Sequence, residues 1–127
     1  MNIQKFSELV AMMAKIEAKR DELQDLNYNM EVLTERIVGN NFIYDDESRD
    51  NYLSTYDRKN KARRSLKKLL ADFRKAVESD EDTAWYASQC KYAADKSDIA
   101  YYDRVKWNIL KDATNVKCSN YSYTAIY

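Results

Sequence analysis

The side chains best suited to chemistry in this sequence are cations that crowd one short segment. Residues 58–68 read RKNKARRSLKK and include no acidic residue. On a helix, such a run creates a local positive field that can meet phosphates or the carboxylates of a partner. Two tyrosines lie upstream of the run, where each can stack on a base. The candidate anion-binding residues are Tyr52, Tyr56, Arg58, Lys59, Lys61, Arg63, Arg64, Lys67 and Lys68.

The same cations have a second interpretation. The chain carries 21 basic and 21 acidic residues and no net formal charge, whereas nucleic-acid-binding domains are generally basic overall. Acidic runs at 45–47 and 78–82 flank the basic segment. The cations can therefore form a solvated helix face whose charge balances these acids within the fold. The neutral total charge favours this interpretation. Nucleic-acid or nucleotide-phosphate binding is the alternative function.

Tyrosine is the second unusual feature, with 11 Tyr against three Phe. Tyrosine supplies a large contact area with a polar tip, which suits a binding interface, although it equally suits the half-exposed boundary of a thin bundle. Apolar residues of the loop at 42–44 either fold over the bundle end, which we favour, or protrude as a contact. The candidate protein-binding residues are Phe42, Ile43, Tyr44, Tyr121, Tyr123 and Tyr127.

The residues that are missing exclude most enzyme classes. A single glycine, Gly39, excludes phosphate-binding loops and nucleotide fingerprints that need two or more glycines. Without histidine there is no imidazole base, and two cysteines cannot complete a zinc site in one chain. We therefore expect no catalytic residue, no cofactor and no metal site, and a protein that is not an enzyme.

The first helix has a clear apolar pattern. With no proline and one glycine in the chain, helix should dominate. Residues 3–38 fit a heptad, and Gly39 is predicted to end this helix as a left-handed residue just past its terminus. The nine core positions, eight of them apolar, are Leu9, Met12, Ile16, Lys19, Leu23, Leu26, Met30, Leu33 and Ile37.

The remaining chain is predicted to complete one all-α domain over residues 1–127. It is an elongated bundle of about three long helices at 3–38, 49–79 and 81–113, with a coiled-coil-like first helix. A Tyr-rich, extended tail follows at 114–127. Asp46 or Ser48 can cap the second helix, and Ser79 with Asp82 resembles a capping box for the third.

Two patterns in these helices bear on their surfaces. Apolar residues of the third helix, including Trp85 and Trp107, are spread around more than one face, which implies contact on two sides. The tripeptide Tyr-Asp-Arg occurs at 56–58 and again at 102–104, which favours a repeated helical surface.

The length of the first helix favours self-association. Residues 3–38 would span about 54 Å, whereas a compact chain of this size is about 36 Å across. The helix therefore cannot be buried along its whole length in a spherical monomer. We expect a dimer or a higher oligomer.

The N-terminus predicts no membrane segment, because its uncharged run from Leu9 to Ala14 is too short for a span or a signal peptide. We expect a cytoplasmic protein, with Cys90 and Cys118 as thiols. The small, Tyr- and Asn-rich composition without Pro or His resembles accessory proteins encoded by bacterial viruses. That resemblance implies a protein-protein interaction module that inhibits a host enzyme or defence complex by binding.

Overall fold

Helices make up nearly all of the chain that can be described. The computed structural model describes residues 2–39, 45–90 and 98–120. Within these ranges it has four α-helices and no strand, which confirms the all-α class. The helices are α1 (Ile3–Gly39), α2 (Asp46–Glu78), α3 (Glu81–Cys90) and α4 (Asp98–Asn120).

The first helix, α1, has bounds close to the predicted ones. Asn2 caps it, because its side-chain oxygen accepts a hydrogen bond from the N–H of Lys5 at 2.7 Å. None of the nine predicted core positions is fully exposed. The heptad therefore identifies the covered side of α1. Leu9, Ile16, Leu26 and Ile37 are buried, and Met12, Lys19, Leu23, Met30 and Leu33 are half-buried.

Gly39 does not act as the predicted left-handed stop. It is the last residue of α1, and its φ lies outside the left-handed region that favours glycine. A Cβ placed there would meet no atom within 4 Å. The prediction was wrong, because the helix closes with ordinary helical backbone that a larger residue can also adopt.

The second helix, α2, begins three residues before the predicted start. Asp46 and Ser48, the predicted caps, both lie inside it. Asp45 is the actual cap, since its Oδ1 accepts a hydrogen bond from the N–H of Ser48 at 2.6 Å. That bond favours the charged carboxylate and lowers the pKa of Asp45 below its ordinary 3.8.

A two-residue turn, Ser79 and Asp80, separates α2 from α3. The predicted capping box of Ser79 with Asp82 was wrong, because the Ser79 hydroxyl donates to a carbonyl of the last turn of α2 at 3.0 Å. Asp80 instead opens α3. Its carbonyl accepts a hydrogen bond from the N–H of Ala84 at 2.8 Å.

The predicted third helix and tail also differ from the structure. The predicted 81–113 helix corresponds to α3 and to most of α4, and residues 91–97 between them are outside the described ranges. Residues 114–120, assigned to an extended tail, are helical. No proline or glycine occurs after 113 to end the helix earlier. The predicted strand-like pattern at 121–127 falls outside the described residues.

The described residues fall into two compact units. The terminal unit combines those of Met1–Met13 and Leu70–Tyr127, and the central unit those of Ala14–Leu69. The core of the terminal unit contains Phe73 of α2 and Tyr102 of α4, which are fully buried. Their rings meet edge to face, with centroids 5.1 Å apart and planes at 76°, a favourable aromatic geometry.

The central unit has a thinner core, formed by α1 and α2. A few apolar residues are buried in it, and most of their neighbours are half-buried or exposed. Buried apolar area is the main source of stability. Substitutions at the buried positions of this unit should therefore lower the free energy of unfolding more than substitutions on its surface. These positions are Ile16, Leu26, Ile37 and Ala62.

Thr83 makes buried hydrogen bonds at the turn between α2 and α3. It is fully buried, and its hydroxyl donates to the carbonyl of Val77 at 2.8 Å. The carboxylate of Asp80 lies 3.2 Å from the same hydroxyl as a second acceptor. The end of α2 is thereby joined to the first turn of α3.

We predict that Thr83→Val lowers the free energy of unfolding by about 1–3 kcal/mol, because the buried Val77 carbonyl loses its donor. Thr83→Ser is the matched control. It keeps the hydroxyl and loses one methyl group, which costs about 0.8 kcal/mol. Urea denaturation of the full chain measures both, and a Val variant as stable as the Ser variant would contradict the role of this hydroxyl.

Candidate functional site

The aromatic candidates from the sequence lie outside the described residues. They belong to the loop after α1 and to the C-terminal segment after α4. Their role as a protein-binding surface stays a prediction. The residues concerned are Phe42, Ile43, Tyr44, Tyr121, Tyr123 and Tyr127.

The basic segment forms about three turns in the middle of α2. Ala62 is its buried residue and faces the central core, so cations on the other sides of the helix point outward. Tyr56 is 51% exposed, whereas Tyr52 and Lys59 are half-buried. The exposed cations are Arg58, Lys61, Arg63, Arg64, Lys67 and Lys68.

The flanking acidic runs do not neutralise these cations. Asp46 pairs with Arg49 at 3.4 Å, and Glu78 pairs with Arg74 at 3.0 Å. Within the 58–68 run, Lys61 pairs with Asp57 one turn away at 3.1 Å. Across the described ranges, the other cations of the run make no ion pair. Ion pairs with the flanking acidic runs therefore do not account for the segment, and the interpretation as a solvated helix face stays a prediction.

Part of the basic segment lines a shallow, open depression of about 280 Å³. Its lining residues are Asn60, Arg63, Arg64 and Lys67. They recur at three- and four-residue spacing, which places them on one face over successive turns. Lys68 is exposed beside them. This face can present several N–H donors together to one anion or to a row of anions.

Arg58 belongs to a different part of the central unit. It lines a groove of about 580 Å³ with three carboxylate residues of α1, Asp21, Glu22 and Asp25. Glu22 also accepts a hydrogen bond from Lys19 at 2.7 Å. The positive field of Arg58 is therefore offset by nearby acids, which separates this residue from the open basic face.

Two tryptophans are exposed on helices of the terminal unit, and the sequence candidates did not include them. Trp85 of α3 and Trp107 of α4 are each 60% exposed. Residues two positions away on either side, Thr83 with Ala87 and Val105 with Ile109, are buried. Two residues turn a helix by about 200°, so each indole points away from the core of the terminal unit. The spread of apolar residues around the predicted third helix was the available signal.

Tyr86 fixes α3 against α4 beside one of these tryptophans. Its hydroxyl donates a hydrogen bond to the carboxylate of Asp112, and its ring meets Trp85 edge to face at 5.3 Å. Burial, together with the acceptor and charge of Asp112, raises the pKa of Tyr86 to about 12. The outer face of α3 is therefore held by a specific contact rather than by apolar packing alone.

Other kinds of site find little support in the described part of the chain. No group of three or more His, Cys, Asp or Glu residues there could hold a metal ion. None of the described helices is both long enough and apolar enough to cross a membrane. No protein-family model, curated protein or solved structure matches the chain. The two exposed surfaces are thus the basis for a functional proposal.

We predict that Tyr86 makes stability depend on alkaline pH. The folded state holds the phenol proton more tightly than the unfolded state, so its contribution is complete below pH 10 and is lost as the pH rises through about 12. Tyr86→Phe removes this dependence. The difference in unfolding free energy between wild type and variant should therefore shrink over that range.

Urea denaturation at pH values on both sides of this range measures the difference. Tyr28→Phe is the matched control, because Tyr28 is exposed and makes no hydrogen bond to the described residues. Its pH profile should follow that of the wild type. A Tyr86→Phe difference that stays constant with pH would contradict the proposed tie to Asp112.

Proposed function

We propose that this chain is a small protein-protein interaction module that binds through the outward faces of α3 and α4. The observation that carries the proposal is the exposure of Trp85 and Trp107 opposite the buried faces of their helices. Tryptophan is among the residues most enriched at binding hot spots, because a partner can bury its large ring and pair its N–H. An isolated chain gains little from holding both rings in water.

The rigidity of the surface supports the same proposal. Trp85 packs against the ring of Tyr86, which is itself bonded to Asp112. Trp107 lies between the buried residues Val105 and Ile109. Anchors on fixed helices lose little conformational freedom on binding, which lowers the cost of association.

We assign this module to the accessory proteins with which bacterial viruses inhibit host enzymes or defence complexes, acting in the cytoplasm. Its support is the composition: a small chain that is rich in Tyr and has no Pro or His. Inhibition by covering a surface requires no catalytic residue, cofactor or metal. The partner would lose activity because its own surface is occupied.

Removal of both indoles should strongly weaken partner binding. We expect Trp85→Ala with Trp107→Ala to weaken binding of a captured host protein by about 30-fold or more, since a hot-spot truncation costs about 2 kcal/mol or more. Affinity capture from nuclease-treated host extract identifies the protein partner. Titration of the purified partner against wild type and variant then measures the loss.

The matched control replaces two exposed residues of the central unit, Tyr28 and Leu53, with Ala. This variant should bind as the wild type does. Circular dichroism establishes that both variants keep their helices. A folded tryptophan variant that retains full affinity for the partner would contradict the proposal.

We also propose that α1 forms a coiled-coil-like seam with a second copy of the chain. Support comes from four apolar heptad positions that stay half-buried within the single chain, so that each keeps surface a second helix can cover. Pairing along this side would bury more of that surface. The positions are Met12, Leu23, Met30 and Leu33.

Sedimentation velocity over a wide concentration range should give the mass of a dimer or a higher oligomer. Leu23→Lys with Leu33→Lys should shift the chain to the monomer while its helices are retained, because two charges cannot be buried in such a seam without cost. A wild-type chain that sediments as a monomer at every concentration would contradict this part of the proposal.

A further inference from the structure

The open face of α2 presents four cations with no acid among them. Arg63, Arg64, Lys67 and Lys68 are all exposed, and no described acidic side chain forms an ion pair with any of them. They occupy two adjacent turns, which are about 5.4 Å apart along the axis. We refer to these four residues as the basic face.

Repulsion among the cations of the basic face destabilises α2. Arg63 with Lys67, and Arg64 with Lys68, are like charges four residues apart, an arrangement that destabilises a helix. The positive field reaches only about 8 Å in physiological salt, so acids farther away in the neutral chain do little to relieve it. Asp72 lies one turn beyond Lys68 on the same helix but forms no ion pair with it in the described structure. A bound polyanion would remove this repulsion.

An exposed aromatic residue continues the same side of the helix. Tyr56 lies seven residues before Arg63, which is close to two full turns, and Asn60 lies between them at four-residue spacing from Tyr56. Tyr56 is half exposed, and Asn60 lines the depression with Arg63, Arg64 and Lys67. A ring, an amide and a row of cations are thus aligned along one helix.

We propose that this side of α2 binds single-stranded nucleic acid, with the basic face on successive phosphates and Tyr56 stacked on a base. Guanidinium groups match phosphate oxygens in pairs, and a strand supplies regularly spaced single charges. An acidic protein could pair with the cations, but its carboxylates offer no flat ring on which Tyr56 could stack. This activity is separate from the tryptophan surface, which lies in the other unit.

Salt dependence of binding gives the first test. We expect fluorescence anisotropy with oligo-dT and oligo-U probes to show affinity falling about 50-fold between 50 and 200 mM salt, as expected for four phosphate contacts on a single strand. In the variant Arg63→Ala, Arg64→Ala, Lys67→Ala the fall should be about threefold. Its helical content should be unchanged, since all three side chains are exposed.

A matched variant distinguishes the effect of a local site from the effect of the total charge. Lys15→Ala, Arg104→Ala, Lys111→Ala removes the same charge from exposed positions elsewhere and should keep the wild-type slope. Tyr56→Ala should weaken strand binding by about tenfold, whereas Tyr56→Phe, which keeps the ring, and Tyr28→Ala, at another exposed tyrosine, should not.

Three results would overturn the proposal. The first is no binding of either probe at 50 mM salt. The second is equal loss in the two triple variants, or no loss in Tyr56→Ala, which would remove the local site or the stacking. The third is tighter binding of a poly-glutamate peptide of equal charge, which would identify an acidic protein as the ligand. The double tryptophan variant should bind the probes as the wild type does. A negative result with the probes would therefore overturn the nucleic-acid proposal and leave the protein-binding proposal unaffected.

Discussion

The edge-to-face contact of Phe73 with Tyr102 is the interaction on which the terminal unit depends. It joins α2 to α4 through two fully buried rings, and Lys106 Nζ lies 5.1 Å from the Tyr102 ring centroid, a favourable cation–π position. Because this contact turns one face of α4 inward, the residue on its opposite face, Trp107, must point outward. The exposed surface is therefore a consequence of how the core is packed.

The parts of the fold that follow from local spacing were predictable. Heptad spacing found the covered side of α1 because the period of apolar residues reflects burial directly. Caps were less predictable, since Asp45, Asp46, Ser48 and Asp80 are all acceptable capping residues. The repeated Tyr-Asp-Arg tripeptide shows the limit: Tyr56 is half exposed and Tyr102 fully buried, because packing against other helices, not the local sequence, decides burial.

The candidate sites also combine features that are visible in the sequence with features that depend on the fold. A run of cations is visible in the sequence, but the sequence does not show that Asp46 and Glu78 of the flanking runs pair with Arg49 and Arg74 rather than with the cations of the run. Those pairings became evident only from the structure. Exposure of Trp85 and Trp107 was equally hidden, because an apolar residue on a helix is ordinarily expected in the core.

We propose that the chain acts through indoles that are exposed to water until a protein partner covers them. Acrylamide quenching of tryptophan fluorescence, on the free chain and on its complex with a captured partner that is not itself fluorescent, tests this most directly. We expect efficient quenching in the free chain and strong protection in the complex. Indoles that are already protected in the free chain, or that stay equally quenchable in the complex, would contradict it.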